Sequence, residues 1–102
     1  MAMITKTEEK DGVMTVYLEG RMDTSESEKV EEEVKPVYET ECKEIVIDCT
    51  KLDYIASSGL RLFLNMLLDT QPQGKHISVK GMSQALHEVF DMTGFSNLFD
   101  FI

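Results

Sequence analysis

The sequence predicts an α/β fold: an opening β-hairpin, then βαβα units, giving a mixed sheet of about four to five strands packed with about three to four helices. Three observations predict it. Asp11-Gly12 is a tight-turn signal between two strand-like segments, a β-branched run Ile45-Val46-Ile47 sits mid-chain, and amphipathic helical patterns alternate with strand patterns after the hairpin. A chain of 102 residues makes one domain, spanning residues 1–102, with room for one core but not for a second lobe.

Taken in order, Ile4-Thr5-Lys6-Thr7 and Val13 to Leu18 form the hairpin, which Gly20 is expected to end. Ser25 and Glu28 have the spacing of a capping box, and Val30, Val34, Val37 and Tyr38 recur at helical spacing. Pro36 kinks or ends that helix, and Glu31-Glu32-Glu33 take its solvated side. Ile45-Val46-Ile47 reads as a central strand covered on both faces, followed by a loop from Thr50 to Ala56. A helix then starts at Ser57, with apolar residues on so many sides (Leu60, Leu62, Phe63, Leu64, Met66, Leu67, Leu68) that protein should nearly surround it. Pro72 and Gly74 break the pattern before the strand His76 to Lys80, which stops at Gly81. Ser83 caps a last helix carrying Leu86, Val89 and Phe90, and Gly94 suits its C-terminus. Phe95, Leu98, Phe99, Phe101 and Ile102 form an apolar tail that must pack or dimerise, so the chain is expected to be a monomer or a weak dimer.

Composition narrows the function. The net charge is −9, from 19 acidic and 10 basic residues, which disfavours nucleic acid and anionic lipid surfaces as partners. No apolar run approaches a membrane span and the N-terminus lacks a signal-peptide pattern, so direct membrane insertion is not expected and the expected location is cytoplasmic. Cys42 and Cys49 suit reduced thiols. The only histidines are His76 and His87, no Gly-x-Ser-x-Gly elbow surrounds a serine, the glycines are scattered singly, and Cys and His lack zinc-site spacing. No enzyme, metal or cofactor is expected.

What remains is Ala56-Ser57-Ser58-Gly59, two hydroxyls and a glycine where a loop becomes a helix. Backbone N–H groups are free there, an anion is welcome, and a residue without a side chain lets another protein approach. On spacing alone, plain helix capping explains both serines.

Leu52-Asp53-Tyr54-Ile55-Ala56-Ser57-Ser58-Gly59-Leu60, preceded by Ile45-Val46-Ile47-Asp48, resembles the signature of bacterial STAS domains of the anti-sigma factor antagonist type. Gly20-Arg21-Met22-Asp23-Thr24 and Met92-Thr93-Gly94-Phe95 with Leu98-Phe99 are similar to further family segments at fitting spacing, so the resemblance covers nearly the whole chain. It implies a partner-switching module in transcription regulation: unphosphorylated, it binds an anti-sigma factor serine kinase and frees a sigma factor, and phosphorylation reverses this. The implied acceptor is Ser57, with Ser58 second, and the implied partner-binding residues are Asp23, Thr24, Ala56, Ser57, Ser58 and Gly59. A phosphatase acting on phosphoserine is a further implied partner. The chain departs from the pattern at Ala56, where phosphorylatable members usually carry Asp. That departure favours the alternative, a constitutive STAS-like accessory or sensor subunit, for example of a membrane transporter, without the switch.

Overall fold

Asp11 and Gly12 both adopt positive φ, 53° and 80°, and close the hairpin between β1 (Ile4–Lys10) and β2 (Val13–Met22). The structure is a computed structural model describing residues 3–102. Gly20 does not end β2: with φ 101° it lies at a register irregularity against the next strand, and pairing resumes at Arg21 and Met22. Helix α1 (Ser27–Glu33) begins without the expected capping box, because Glu26 is the N-cap residue and makes no side-chain capping bond. The Ser25 hydroxyl is turned back to Asp23 instead, at 2.7 Å. The chain breaks at Val34 and restarts as α2 (Lys35–Glu39), with Pro36 in its first turn, where the missing N–H costs nothing. Buried Lys75 lies 3.5 Å from each of the carbonyl oxygens of Val37 and Tyr38 and so closes the end of α2 with a cation.

Strand β3 (Glu44–Ile55) is longer than the β-branched run suggests: Thr50 to Ile55 is strand, not loop, correcting the sequence expectation. The five strands pair in the order β1-β2-β3-β4-β5, where β4 is His76–Lys80 and β5 is Asp100–Phe101. The β1/β2 pair is antiparallel and the other pairs are parallel. Registered rows such as Met14-Ile45-Ile77 and Val16-Ile47-Val79 are buried and form one cluster with Val30, Val34, Phe63, Met66 and Phe90 from the helices. The opposite rows, such as Thr15-Val46, stay partly open, so β3 is central but not covered on both faces.

Helix α3 (Ser57–Thr70) buries Leu60, Leu62, Phe63 and Met66, whereas Leu68 is 58% exposed, so protein covers one side of it and not its circumference. Helix α4 (Gln84–Thr93) begins and ends as read: Ser83 Oγ accepts from the Leu86 N–H at 3.3 Å, and Gly94 takes φ 80°. The apolar tail folds back onto its own sheet. Phe99 is buried and edge-on to Phe63 and Phe90, and the Ile102 N–H bonds the Val79 carbonyl at 2.8 Å. Gly81 is needed where the chain leaves β4, since a Cβ there would lie 2.2 Å from Thr50 Oγ1. Among the described residues no helix is long and apolar enough to cross a membrane.

Candidate functional site

Two adjacent parallel strands deliver the site. Met22 and Ile55 are registered at the ends of β2 and β3, and the Ala56 N–H bonds the Met22 carbonyl at 2.9 Å. The residues that follow, Asp23-Thr24 and Ser57-Ser58, therefore emerge side by side at the C-terminal end of these strands. Parallel pairing brings together segments about thirty positions apart that the sequence could join only through resemblance.

Ser57 is exposed at the first position of α3, and Ser58 is half-buried. Ala56 is the N-cap residue, with the extended backbone (φ −89°, ψ 171°) usual there, but its methyl group offers no acceptor, and no side chain caps α3. The N–H groups of Gly59 and Leu60 both turn to the Ala56 carbonyl, at 2.9 and 3.1 Å. The N–H groups of Ser57 and Ser58 precede the first intrahelical bond, so this end of α3 retains its positive polarity beside the exposed hydroxyl.

Gly59 serves a different purpose from the one the sequence suggested. It is buried, and a Cβ there would stand 2.7 Å from Ile55 Cγ1 and 3.1 Å from Met22 Sδ. Its missing side chain lets α3 lie against the ends of β2 and β3 and is not spent on admitting a partner. Ala56 is likewise buried, at 8% exposure, and so supports the corner from beneath.

Asp23 is partly exposed and its carboxylate organises the β2–α1 turn, accepting from the Ser25 hydroxyl at 2.7 Å and the Glu26 N–H at 3.2 Å. The Ser25 hydroxyl foremost, then the Glu26 and Ser25 N–H groups and the Arg21 charge, hold its carboxyl below the ordinary value against an opposing desolvation. Thr24 is exposed and lines a groove of about 420 Å³ between α1 and α3, together with Ser27, Glu28, Ser58 and Arg61.

Sequence reading missed Ser27, whose Oγ lies 2.6 Å from Ser58 Oγ and ties the start of α1 to the start of α3. It missed equally the Arg21 guanidinium stacked 4.2 Å over the Tyr54 ring, an exposed pair next to the corner. Strand register predicts that second contact once β2 and β3 are known to pair, whereas nothing in the local pattern points to the first. Elsewhere, burial pushes the Cys49 thiol up to about 12, which keeps it protonated and inert. Among the described residues no group of three or more His, Cys, Asp or Glu side chains is placed to hold a metal ion.

The architecture and the sequence both have relatives. A putative anti-sigma factor antagonist, BtrV, from Bordetella bronchiseptica is 27% identical over 89 residues, covering 87% of this chain and 77% of that one. An anti-sigma-B factor antagonist from Staphylococcus aureus is 24% identical over 98 residues, covering 96% and 91%. Among solved structures, an anti-sigma factor antagonist from Mycobacterium paratuberculosis superposes with a TM-score of 0.88 at 21% identity, covering 98% of this chain and 85% of that one. The Bacillus cell fate determinant SpoIIAA in its phosphorylated form superposes with a TM-score of 0.74 at 16% identity, covering 97% and 91%. A family model described as "Mlab, STAS domain" matches residues 5–100, from the first strand through to β5. With residues 5–100 matched, the chain belongs to the STAS-domain family, and the relatives it resembles are described as anti-sigma factor antagonists.

Proposed function

We propose that this protein is an anti-sigma factor antagonist whose binding to an anti-sigma factor serine kinase is switched off by phosphorylation of Ser57. The observation that carries the proposal is the exposed Ser57 hydroxyl at the uncapped start of α3, beside the Asp23-Thr24 turn. Ser58 is the poorer acceptor because its hydroxyl is engaged with Ser27.

A phosphate on Ser57 adds about −1.5 to −2 charges at pH 7. The fold tolerates it, since an anion at a helix N-terminus is favourable by about 0.3–1 kcal/mol. An interface closed over the neutral corner does not, because an unpaired charge buried against a partner costs several kcal/mol and weakens binding by about a hundredfold or more. Relatives named as anti-sigma factor antagonists, and a phosphorylated form within the same fold, support the reading.

Incubation with the cognate kinase and ATP, followed by mass-spectrometric mapping, is expected to place one phosphate on Ser57 and none on the Ser57→Ala variant. Absence of phosphate from both serines would remove the switch. One observation favours a second reading, a constitutive accessory or sensor subunit such as that of a membrane transporter: Ala56 supplies no carboxylate beside Ser57. That reading expects the kinase to leave the protein unmodified and the partner to bind Ser57→Asp as well as it binds the wild type.

A further inference from the structure

Three oxygens, those of the Ser58 hydroxyl, the Ser27 hydroxyl and the Asp23 carbonyl, connect the two halves of the corner. The Ser27 hydroxyl is 3.1 Å from the Asp23 carbonyl and 2.6 Å from the Ser58 hydroxyl, while the Asp23 carboxylate accepts from the Ser25 hydroxyl and the Glu26 N–H. The proton count fixes the direction. A serine hydroxyl carries one proton, and a carbonyl oxygen can only accept, so the proton of Ser27 goes to Asp23. Ser58 must then donate to Ser27. The result is a directed relay, Ser58 O–H to Ser27 O–H to Asp23 C=O, that runs from the first turn of α3 through the first residue of α1 to the residue that follows β2. It is the only side-chain hydrogen bonding recorded between α3 and the β2–α1 segment among the described residues.

From this geometry we infer that Ser27 and Ser58 are positioning residues, whose relay fixes the Asp23-Thr24 turn relative to Ser57 so that a partner meets both as one preformed surface. The inference rests on the partner-switching function proposed above and assigns Ser58 a part in it other than that of phosphate acceptor. Three features favour the relay. Both hydroxyls are partly withdrawn from water, so the bond between them competes with less solvent than a surface pair would. The groove over them is open, and Thr24, Ser27 and Ser58 share its wall, so the turn has free space to swing into if the link is cut. A phosphate on Ser58 would replace the donated proton with a phosphoryl group and leave Oγ an ester oxygen that can no longer donate to Ser27, so the relay and modification of Ser58 are mutually exclusive.

The test compares Ser58→Thr with Ser58→Val, near-identical in shape and differing in the hydroxyl, alongside Ser27→Ala. In the protein alone, amide hydrogen exchange at Glu26, whose N–H bonds Asp23, is expected to accelerate about tenfold in Ser27→Ala and Ser58→Val and to stay near wild type in Ser58→Thr. With the kinase, the same two variants are expected to bind about tenfold more weakly, with Ser57 still the residue phosphorylated. Exchange at Glu26 that is equal in the Thr and Val variants, or unchanged in Ser27→Ala, overturns the relay. A wild-type chain that engages no kinase counts against the function proposed above, and the exchange arm still decides the relay.

Discussion

The corner is built from residues that face in opposite directions. Ser57, Asp23 and Thr24 reach water, whereas Ala56 and Gly59 support them from inside. Replacing Gly59 with Ala forces a methyl against Ile55 Cγ1, which lies close to the backbone and cannot swing away, so Gly59→Ala is expected to lose about 1–3 kcal/mol in urea unfolding. Ala56→Asp works the other way. It places an acceptor at an N-cap that has none, in a backbone conformation already suited to it, and is expected to add about 1 kcal/mol by the same assay. A destabilising Ala56→Asp would show that burial of the carboxylate outweighs the cap. Both residues were legible as members of a motif, but their orientation was not, because facing inward or outward depends on where Met22 comes to lie, and Met22 is far away in sequence.

The elements show which local signals survive tertiary packing. The Asp11-Gly12 turn, the Ser83 cap and the Gly94 stop depend on backbone geometry within a few residues and appear as read. Thr50 to Ile55 did not read as strand, because Lys51, Asp53 and Tyr54 interrupt the apolar pattern; pairing with β2 alone keeps it extended. The short β5 was hidden in an apolar tail for the same reason, as its hydrogen bonds come entirely from β4. Its side chains are held by two devices. Phe90, at the centre of edge-on contacts with Phe63, Phe95, Phe99 and Phe101, is expected to cost about 3–5 kcal/mol on truncation to Ala.

The second device is ionic. His76 on β4 bridges Glu44 on β3, at 3.0 Å, and Asp100 on β5. The Asp100 carboxylate first, and then Glu44, raise the His76 pKa above its ordinary value. A pKa raised on folding stabilises the native state fully below the unfolded value near 6.5, and the contribution fades as pH rises through the folded value. The stability gap between wild type and His76→Gln is therefore expected to be larger at pH 6 than at pH 8.5 in urea titrations. A gap that grows with pH would contradict the assignment.

At the scale of the whole molecule, one sheet face is buried under the helices and the other is partly open, while the C-terminal ends of β2 and β3 gather the candidate contact residues at one end of the sheet. With a net charge of −9 on the chain as a whole, association with a basic partner is expected to weaken as salt rises, which a salt series of binding titrations measures. On the function proposed above, the exposed Ser57 hydroxyl at the start of α3 is the group that a kinase would convert into a dianion. The most direct test is a calorimetric titration of the kinase with the chain before and after stoichiometric phosphorylation of Ser57. Affinity lower by about a hundredfold or more after modification is the expected result. Equal affinity of the two forms would contradict the switch.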